Sequence, residues 1–375
     1  MSDPIILDGS AGEGGGQILR TALSLSAITG QAFEIERLRA RRPKPGLRPQ
    51  HAAAARAVAG LCGAALEGAE VGSPRLAFRP TRAPAPADLD LDVGTAGSTP
   101  LLFHAVAFPL ALAGGPSTLR LRGGTHQDHA PSFHHLALVW APAMARLGFR
   151  FSLELGAAGF YPEGGGEFSA RVEPAQAMPA LDLRHRGTLL EVEAVSFVCG
   201  LGYDIARRQA DRALHRLREL GVSAEAERVP MPANGSRGGH VLLVATFERL
   251  RAGAGAVSAF ERTPEETADL AVEQLAAHLA ARGAVDPWLA DQLLVPAALV
   301  AAGKAPRPAG VDRATHYTVS RVTGHLLTNA DVVRRFLDVD VQVTGADGEE
   351  GEVRVAPRGR AAAPGGSPTT ASPFA

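Results

Sequence analysis

Pro4-Ile5-Ile6-Leu7-Asp8-Gly9-Ser10-Ala11-Gly12-Glu13-Gly14-Gly15-Gly16-Gln17-Ile18-Leu19-Arg20 carries the first legible pattern of the chain. The apolar run predicts a short strand over 4–8. The glycines from Gly9 to Gly16 predict a loop. Ile18, Leu19, Ala22, Leu23 and Ser26 then recur at helical spacing, which predicts a helix over 17–28 closed by Gly30. Glycines between a strand and a helix let backbone N–H groups approach a phosphate, and the helix N-terminus favours anions. Glu13 is unusual in that setting. A carboxylate among such amides makes sense if it holds a divalent cation that bridges to phosphate. A tight turn is the plain alternative, because the loop matches neither the Walker pattern nor the dinucleotide fingerprint.

Outward from this loop the alternation continues. A strand is expected at 33–35, then an Arg-rich loop, then a helix over 49–62. Strand 89–93 leads through a Gly/Ser turn at 94–98 to a helix at 101–112. Strand 118–121, helix 133–147 and strand 149–155 follow. The C-terminal portion reads as helix 288–302, strand 317–322, helix 331–337 and strands 339–343 and 352–355. The class is therefore α/β built from repeated strand–helix units. Residues 184–276 read as a separate small α/β domain, with strand 189–194, helix 205–220 and strands 224–229 and 241–247. Arg186-Gly187 and Ala252-Gly253-Ala254-Gly255 suit its entry and exit. The Ala/Pro/Gly/Ser-rich tail, 357–375, reads as disordered.

Composition narrows the function. With 375 residues, 46% apolar and 21% charged, the chain is long enough for two or three globular units. A net charge of -1 excludes a purely electrostatic nucleic-acid binder, so any nucleic acid must meet a local basic site. The cations are almost all Arg; only Lys44 and Lys304 are Lys. Cys62 and Cys199 cannot make a disulfide framework. Neither a cationic leader nor a membrane-length apolar run is present, and the chain reads as cytoplasmic with no membrane partner.

Arg39-Ala40-Arg41-Arg42-Pro43-Lys44-Pro45-Gly46-Leu47-Arg48-Pro49-Gln50-His51 puts five cations within ten residues among three prolines. A solvated charge run is the usual reading, but proline restricts the backbone and favours a fixed anion site. In Thr323-Gly324-His325-Leu326-Leu327-Thr328-Asn329, a His stands where a strand gives way to a helix, with Thr328 or Asn329 expected as the cap and Asp331 in the first turn. Imidazole is a good nucleophile toward phosphorus near neutral pH. Trp288, Asp291 and Gln292 lie on a helix started by Asp286-Pro287; Trp288 can stack a base or simply fill a core. His126, His129, His134 and His135 fit no standard zinc spacing and have no companion Cys, so a structural metal is not expected.

Together these blocks, with Phe160-Tyr161-Pro162-Glu163-Gly164-Gly165-Gly166, resemble the RNA 3′-terminal phosphate cyclase family, in the family's order and over residues 5–345. The resemblance implies a core of repeated βαβαββ units related to the enolpyruvyl transferase fold. It divides the chain into core repeats at 1–183, an inserted α/β domain at 184–276 and a third repeat with the catalytic His at 277–356. It implies ATP as a substrate, a divalent metal (Mg2+ or Mn2+), RNA 3′-phosphate ends as the partner, and allows a homodimer. His325 would be the nucleophile that carries AMP. Glu13 would bind the metal. Gln17, His104, Pro131, Trp288, Asp291 and Gln292 would hold ATP, with Pro131 and Trp288 sandwiching adenine. Arg20, Arg39, Arg42, Gln50 and His51 would face the phosphates of ATP or RNA.

Three positions depart from the family pattern. His104 replaces a Gln and is expected to make its contact pH-sensitive. Trp288 replaces a Tyr and preserves stacking. Ala158 replaces a basic residue before Gly159. The alternatives are a non-catalytic relative that assists ribosome assembly, against which His325 argues, and an enolpyruvyl transferase-like enzyme, which would not need the His block.

Overall fold

The computed structural model describes residues 3–12, 15–177, 180–231, 234–306 and 313–358. The first unit runs β1 (Ile5–Asp8), α1 (Gln17–Thr29), β2 (Phe33–Glu36), α2 (Pro49–Cys62), β3 (Ala65–Glu67) and β4 (Leu76–Arg79). Its sheet has the order β1-β2-β4-β3, with β1 and β2 parallel and the other pairs antiparallel. Gly30, at φ 77°, stops α1 in the left-handed conformation that glycine adopts without steric cost.

The second unit repeats this plan. It comprises β5 (Asp88–Asp92), α3 (Thr99–Ala111), β6 (Ser117–Gly123), an interrupted helix, β7 (Phe151–Ala157) and β8 (Gly166–Val172), in the order β5-β6-β8-β7. The interrupted helix is α4 (Phe133–His135), a π-helical turn (Leu136–Trp140) and α5 (Ala141–Ala145), where one continuous helix over 133–147 was expected.

The third unit is split. β9 (Asp182–Leu183) pairs in parallel with β14 (Thr315–Val319), which pairs with β16 (Gly351–Pro357), which pairs with β15 (Val339–Thr344). α8 (Pro287–Ala301) and α9 (Gly324–Phe336) complete it. Leu183 therefore belongs to the third repeat, not the second, and the insertion enters after that repeat's first strand. Likewise β16 runs to Pro357, where the tail was expected to start; residues 359–375, the rest of that tail, lie outside the described residues.

Between β9 and α8 lie β10 (Leu189–Cys199), α6 (Tyr203–Glu219), β11 (Glu225–Met231), β12 (Gly238–Phe247), β13 (Arg251–Val257) and α7 (Pro264–Ala280). Their sheet, β11-β10-β12-β13, has its own apolar core around Val192, Leu217, Leu243 and Leu275. Two expectations change here. Residues 252–255 are not an exit linker but the middle of β13, and α7 extends the unit past 276. The small residues of β13 answer to packing: a Cβ on Gly253 would lie 2.8 Å from the His135 ring and 2.9 Å from Val139.

One large core joins the three repeats, and α3 and α8, apolar almost all round, run through it.

Candidate active site

The glycine loop leaves β1 through Asp8, whose carboxylate accepts from the backbone (2.9 Å) and hydroxyl (2.7 Å) of Ser10. Those bonds, followed by the Arg37 guanidinium, hold it below the usual carboxylate range. Two glycines here are required by contact. A Cβ on Gly9 would sit 2.9 Å from the Glu36 carbonyl oxygen, and one on Gly12, at φ 54°, would strike Thr328 of α9. A Cβ on Gly15 would lie 3.5 Å from Arg42 Nη2 and 3.9 Å from His325 Cε1. The glycine loop, the arginine loop and the histidine turn thus meet at one point. Glu13, the expected metal ligand, lies outside the described residues.

The arginine loop is a fixed structure. Arg37 and Arg39 take positive φ, 52° and 55°, and Arg42 N donates to the Arg39 carbonyl oxygen at 3.0 Å. Non-glycine residues in that region store strain that the surroundings must offset, as functional sites do. The loop ends at α2, where His51 Nδ1 accepts from Arg48 N at 3.1 Å and closes the helix start. Burial, then Arg20, Arg39 and Arg48, push His51 down to about 3, so it is neutral at physiological pH. Gln50 Oε1 accepts from Ser98 N at 2.7 Å, tying the first repeat to the second.

His325 is half-buried in the first turn of α9. The helix starts at Gly324, not near Asp331, because Thr323 rather than Thr328 is the cap: its hydroxyl accepts from Leu326 N at 3.2 Å. Thr328 instead donates to the Gly324 carbonyl oxygen at 2.7 Å. Asn329 braces the turn. It accepts from Thr21 Oγ1 (2.7 Å) on α1 and donates to the Asp291 carbonyl oxygen (2.8 Å) on α8. Trp288 is 38% exposed on a helix whose other residues are nearly all buried, so it is not the core tryptophan it could have been.

A single cavity of about 840 Å³ collects these groups. Gln17, Arg20, Arg39, Arg42, Gln50 and His51 line it from the first repeat, His104 and Pro131 from the second, and Trp288, Asp291, Gln292 and His325 from the third. Every expected site residue within the described residues is present. Burial lowers Arg20 to about 10, with Asp291 opposing; it remains a cation at neutral pH. Burial, then Arg20 and His135, lower His104 to about 3. That position is therefore not the pH-sensitive contact expected of it. Ala158 is buried among Phe160, Phe197 and Cys199 and does not line the cavity.

Several cavity residues escaped sequence reasoning. Arg321 and, from the inserted unit, Arg262, His240, Gln274 and Gly253 also face it. Ser24 Oγ, His104 Nε2, both His135 nitrogens, Gln274 Oε1 and Gln292 Oε1 are buried there without a hydrogen-bond partner. Buried polar atoms are normally paired, so such a concentration marks a ligand pocket. No periodicity could find the inserted unit's contribution, because it comes from a different sheet and helix and only the tertiary fold brings them to the cavity.

A cavity with this many fixed cations and this many hydrogen-bonding atoms left for a ligand belongs to an α/β enzyme that handles phosphate esters. The particular kind follows from comparison: the chain belongs to the RNA 3′-terminal phosphate cyclase family, whose model matches residues 11–343. A protein named RNA 3′-terminal phosphate cyclase from Methylococcus capsulatus is 42% identical over 356 residues, 93% of this chain and 95% of its own. Proteins of the same name from Koribacter versatilis (94% of each chain) and Methanopyrus kandleri (95% of this chain, 99% of its own) are each 38% identical. The enolpyruvyl transferase NikO from Streptomyces tendae overlaps 45% of this chain and 33% of its own, at 16% identity and a TM-score of 0.25, too small an overlap to bear on the fold.

Proposed function

We propose that the chain converts an RNA 3′-phosphate to a 2′,3′-cyclic phosphodiester with ATP, through AMP carried on His325. The observation that supports it most is the meeting of His325 and Arg42 at Gly15, within a family match that spans most of the chain. A ring nitrogen of His325 attacks the α-phosphorus, an N–P bond forms, and the P–O bond to pyrophosphate breaks. A phosphate oxygen of the RNA end then attacks the same phosphorus and frees His325. Finally the neighbouring 2′-hydroxyl attacks the activated 3′-phosphorus and expels AMP; its geometry is intramolecular and needs little beyond alignment.

The chain's own groups serve these steps by position. Arg20, Arg39 and Arg42 offset the charge that develops on the phosphates. Trp288 and Pro131 hold adenine, with Asp291 and Gln292 beside it. Gln17 bonds Arg20 through its Oε1, at 2.6 Å, and so orients that guanidinium. A divalent ion, magnesium or manganese, would be held by Glu13 and would supply further charge neutralisation. The reaction belongs to the cytoplasm; light scattering tests the homodimer.

ATP labelled at the α-phosphate decides the reading. The protein should acquire an acid-labile, base-stable label that His325→Ala lacks and that EDTA prevents. RNA ending in 3′-phosphate should become phosphatase-resistant, while a 3′-hydroxyl end should not react. A label retained by His325→Ala, or equal reaction of both ends, contradicts it.

A further inference from the structure

His126, His134 and His240 have no part in the reaction proposed above, yet they meet. His126 stands in the turn after β6, His134 on α4, and His240 near the start of β12 in the inserted unit. Each offers one ring nitrogen, and these three atoms lie within 4.8 Å of one another. We propose that the three imidazoles bind a transition-metal dication of the zinc class and so pin the inserted unit to the second repeat.

The donor chemistry selects the ion. An all-nitrogen set suits zinc, cobalt, nickel or copper and not magnesium or calcium, which prefer oxygen. All three rings are held in the neutral, ligating form by burial. Tetrahedral zinc, with bonds of about 2.0–2.1 Å, keeps its ligand nitrogens roughly 3.3 Å apart. His126 Nε2 and His134 Nδ1 are 2.8 Å apart, joined by one N–H, and need only part slightly while His240 closes in. The proton of that N–H moves to the far nitrogen of its own ring, so binding releases none. Thr125 Oγ1, 2.8 Å from His126 Nδ1, can accept a hydrogen bond from an Nδ1–H and so fix the tautomer in which His126 Nε2 is free to ligate.

Two further observations point to a ligand. His240 is 3% exposed and its Nδ1 has no hydrogen-bond partner. The His126 ring stacks against Phe160 (centroids 5.2 Å, planes 22° apart) and Phe197 (4.8 Å, 12°), which hold it in place and exclude water. The site rests on this packing alone and is independent of the cyclase reading.

Tag-free protein is stripped with chelator, incubated with zinc, gel-filtered and assayed by atomic emission. Wild type should retain about one zinc per chain. His134→Ala and His240→Ala should each lose nearly all of it, while His135→Ala, next in sequence but outside the triad, should keep it. Thr125→Val should bind about 10–100-fold more weakly. Cobalt bound to wild type should give the visible bands of a low-coordinate site with three nitrogen ligands, displaced by zinc; this decides the matter even if a variant fails to fold. A wild type that retains no zinc and shows no cobalt bands overturns the proposal. So does a folded His240→Ala that retains as much zinc as wild type.

Discussion

His325, Trp288 and His104 illustrate how one side chain's surroundings decide its use. His325 sits in the first turn of α9 beside the glycine loop, and on the reading proposed above His325→Ala should remove the labelled adduct. Trp288 is exposed to the cavity, and stacking on a base contributes about 1–3 kcal/mol. Trp288→Ala should raise the KM for ATP about five- to 150-fold, with a smaller effect on kcat. An unchanged KM would remove Trp288 from the adenine site. His104 stays neutral far below physiological pH, so it behaves there as a hydrogen-bonding amide would. His104→Gln should keep the shape of the pH–rate profile between pH 6 and 8, which steady-state cyclisation assays would show.

Among the elements, α1, α8 and α9 depend on one another through Asn329. Its two bonds are buried, and Asn329→Ala would remove both, cutting the link from α9 to Thr21 Oγ1 on α1 and to the Asp291 carbonyl oxygen on α8. The expected loss is about 1–3 kcal/mol of stability, read as a lower urea midpoint at constant m-value. Helices were the most legible elements. α2 begins and ends at the residues its Pro and Gly signals predict, and α8 starts within a residue of its predicted place. The start of α9 was missed because Thr323, Thr328 and Asn329 are all competent caps. Only the position of the strand before them decides which hydroxyl reaches a free backbone N–H. β13 was missed because Ala-Gly alternation reads as a flexible link, whereas its small residues let helix residues pack close.

Across the molecule, buried neutral imidazoles set the acid limit. His51 and His104 are lowered to about 3, and His135 and His278 to about 4, each chiefly by burial. Below about pH 6.5 the unfolded chain binds protons on these four that the native state does not, so stability falls as pH drops through that window. Asp286 acts oppositely: burial raises it to about 6, so the native state gains a proton first. Four groups outweigh one. Urea midpoints should fall progressively from pH 7 to pH 4; a flat profile would mean that these rings are solvated.

Local chemistry was enough for much of this protein. Apolar periodicity, glycine and proline placement and the ordered blocks around Gly9–Gly16, Arg39–His51 and His325 defined an α/β chain of repeats, its family and a set of candidate residues that all reach the cavity where they are described. Those features are short-range, written within one strand–turn–helix step at a time. Tertiary structure alone decided what depends on elements distant in sequence. It split the third repeat around the insertion, carried Arg262 and Gln274 into the cavity, and made Asn329 a three-helix brace. It also brought His240 to His126 and His134, turning a histidine run that matches no spacing rule into a site with three converging nitrogens.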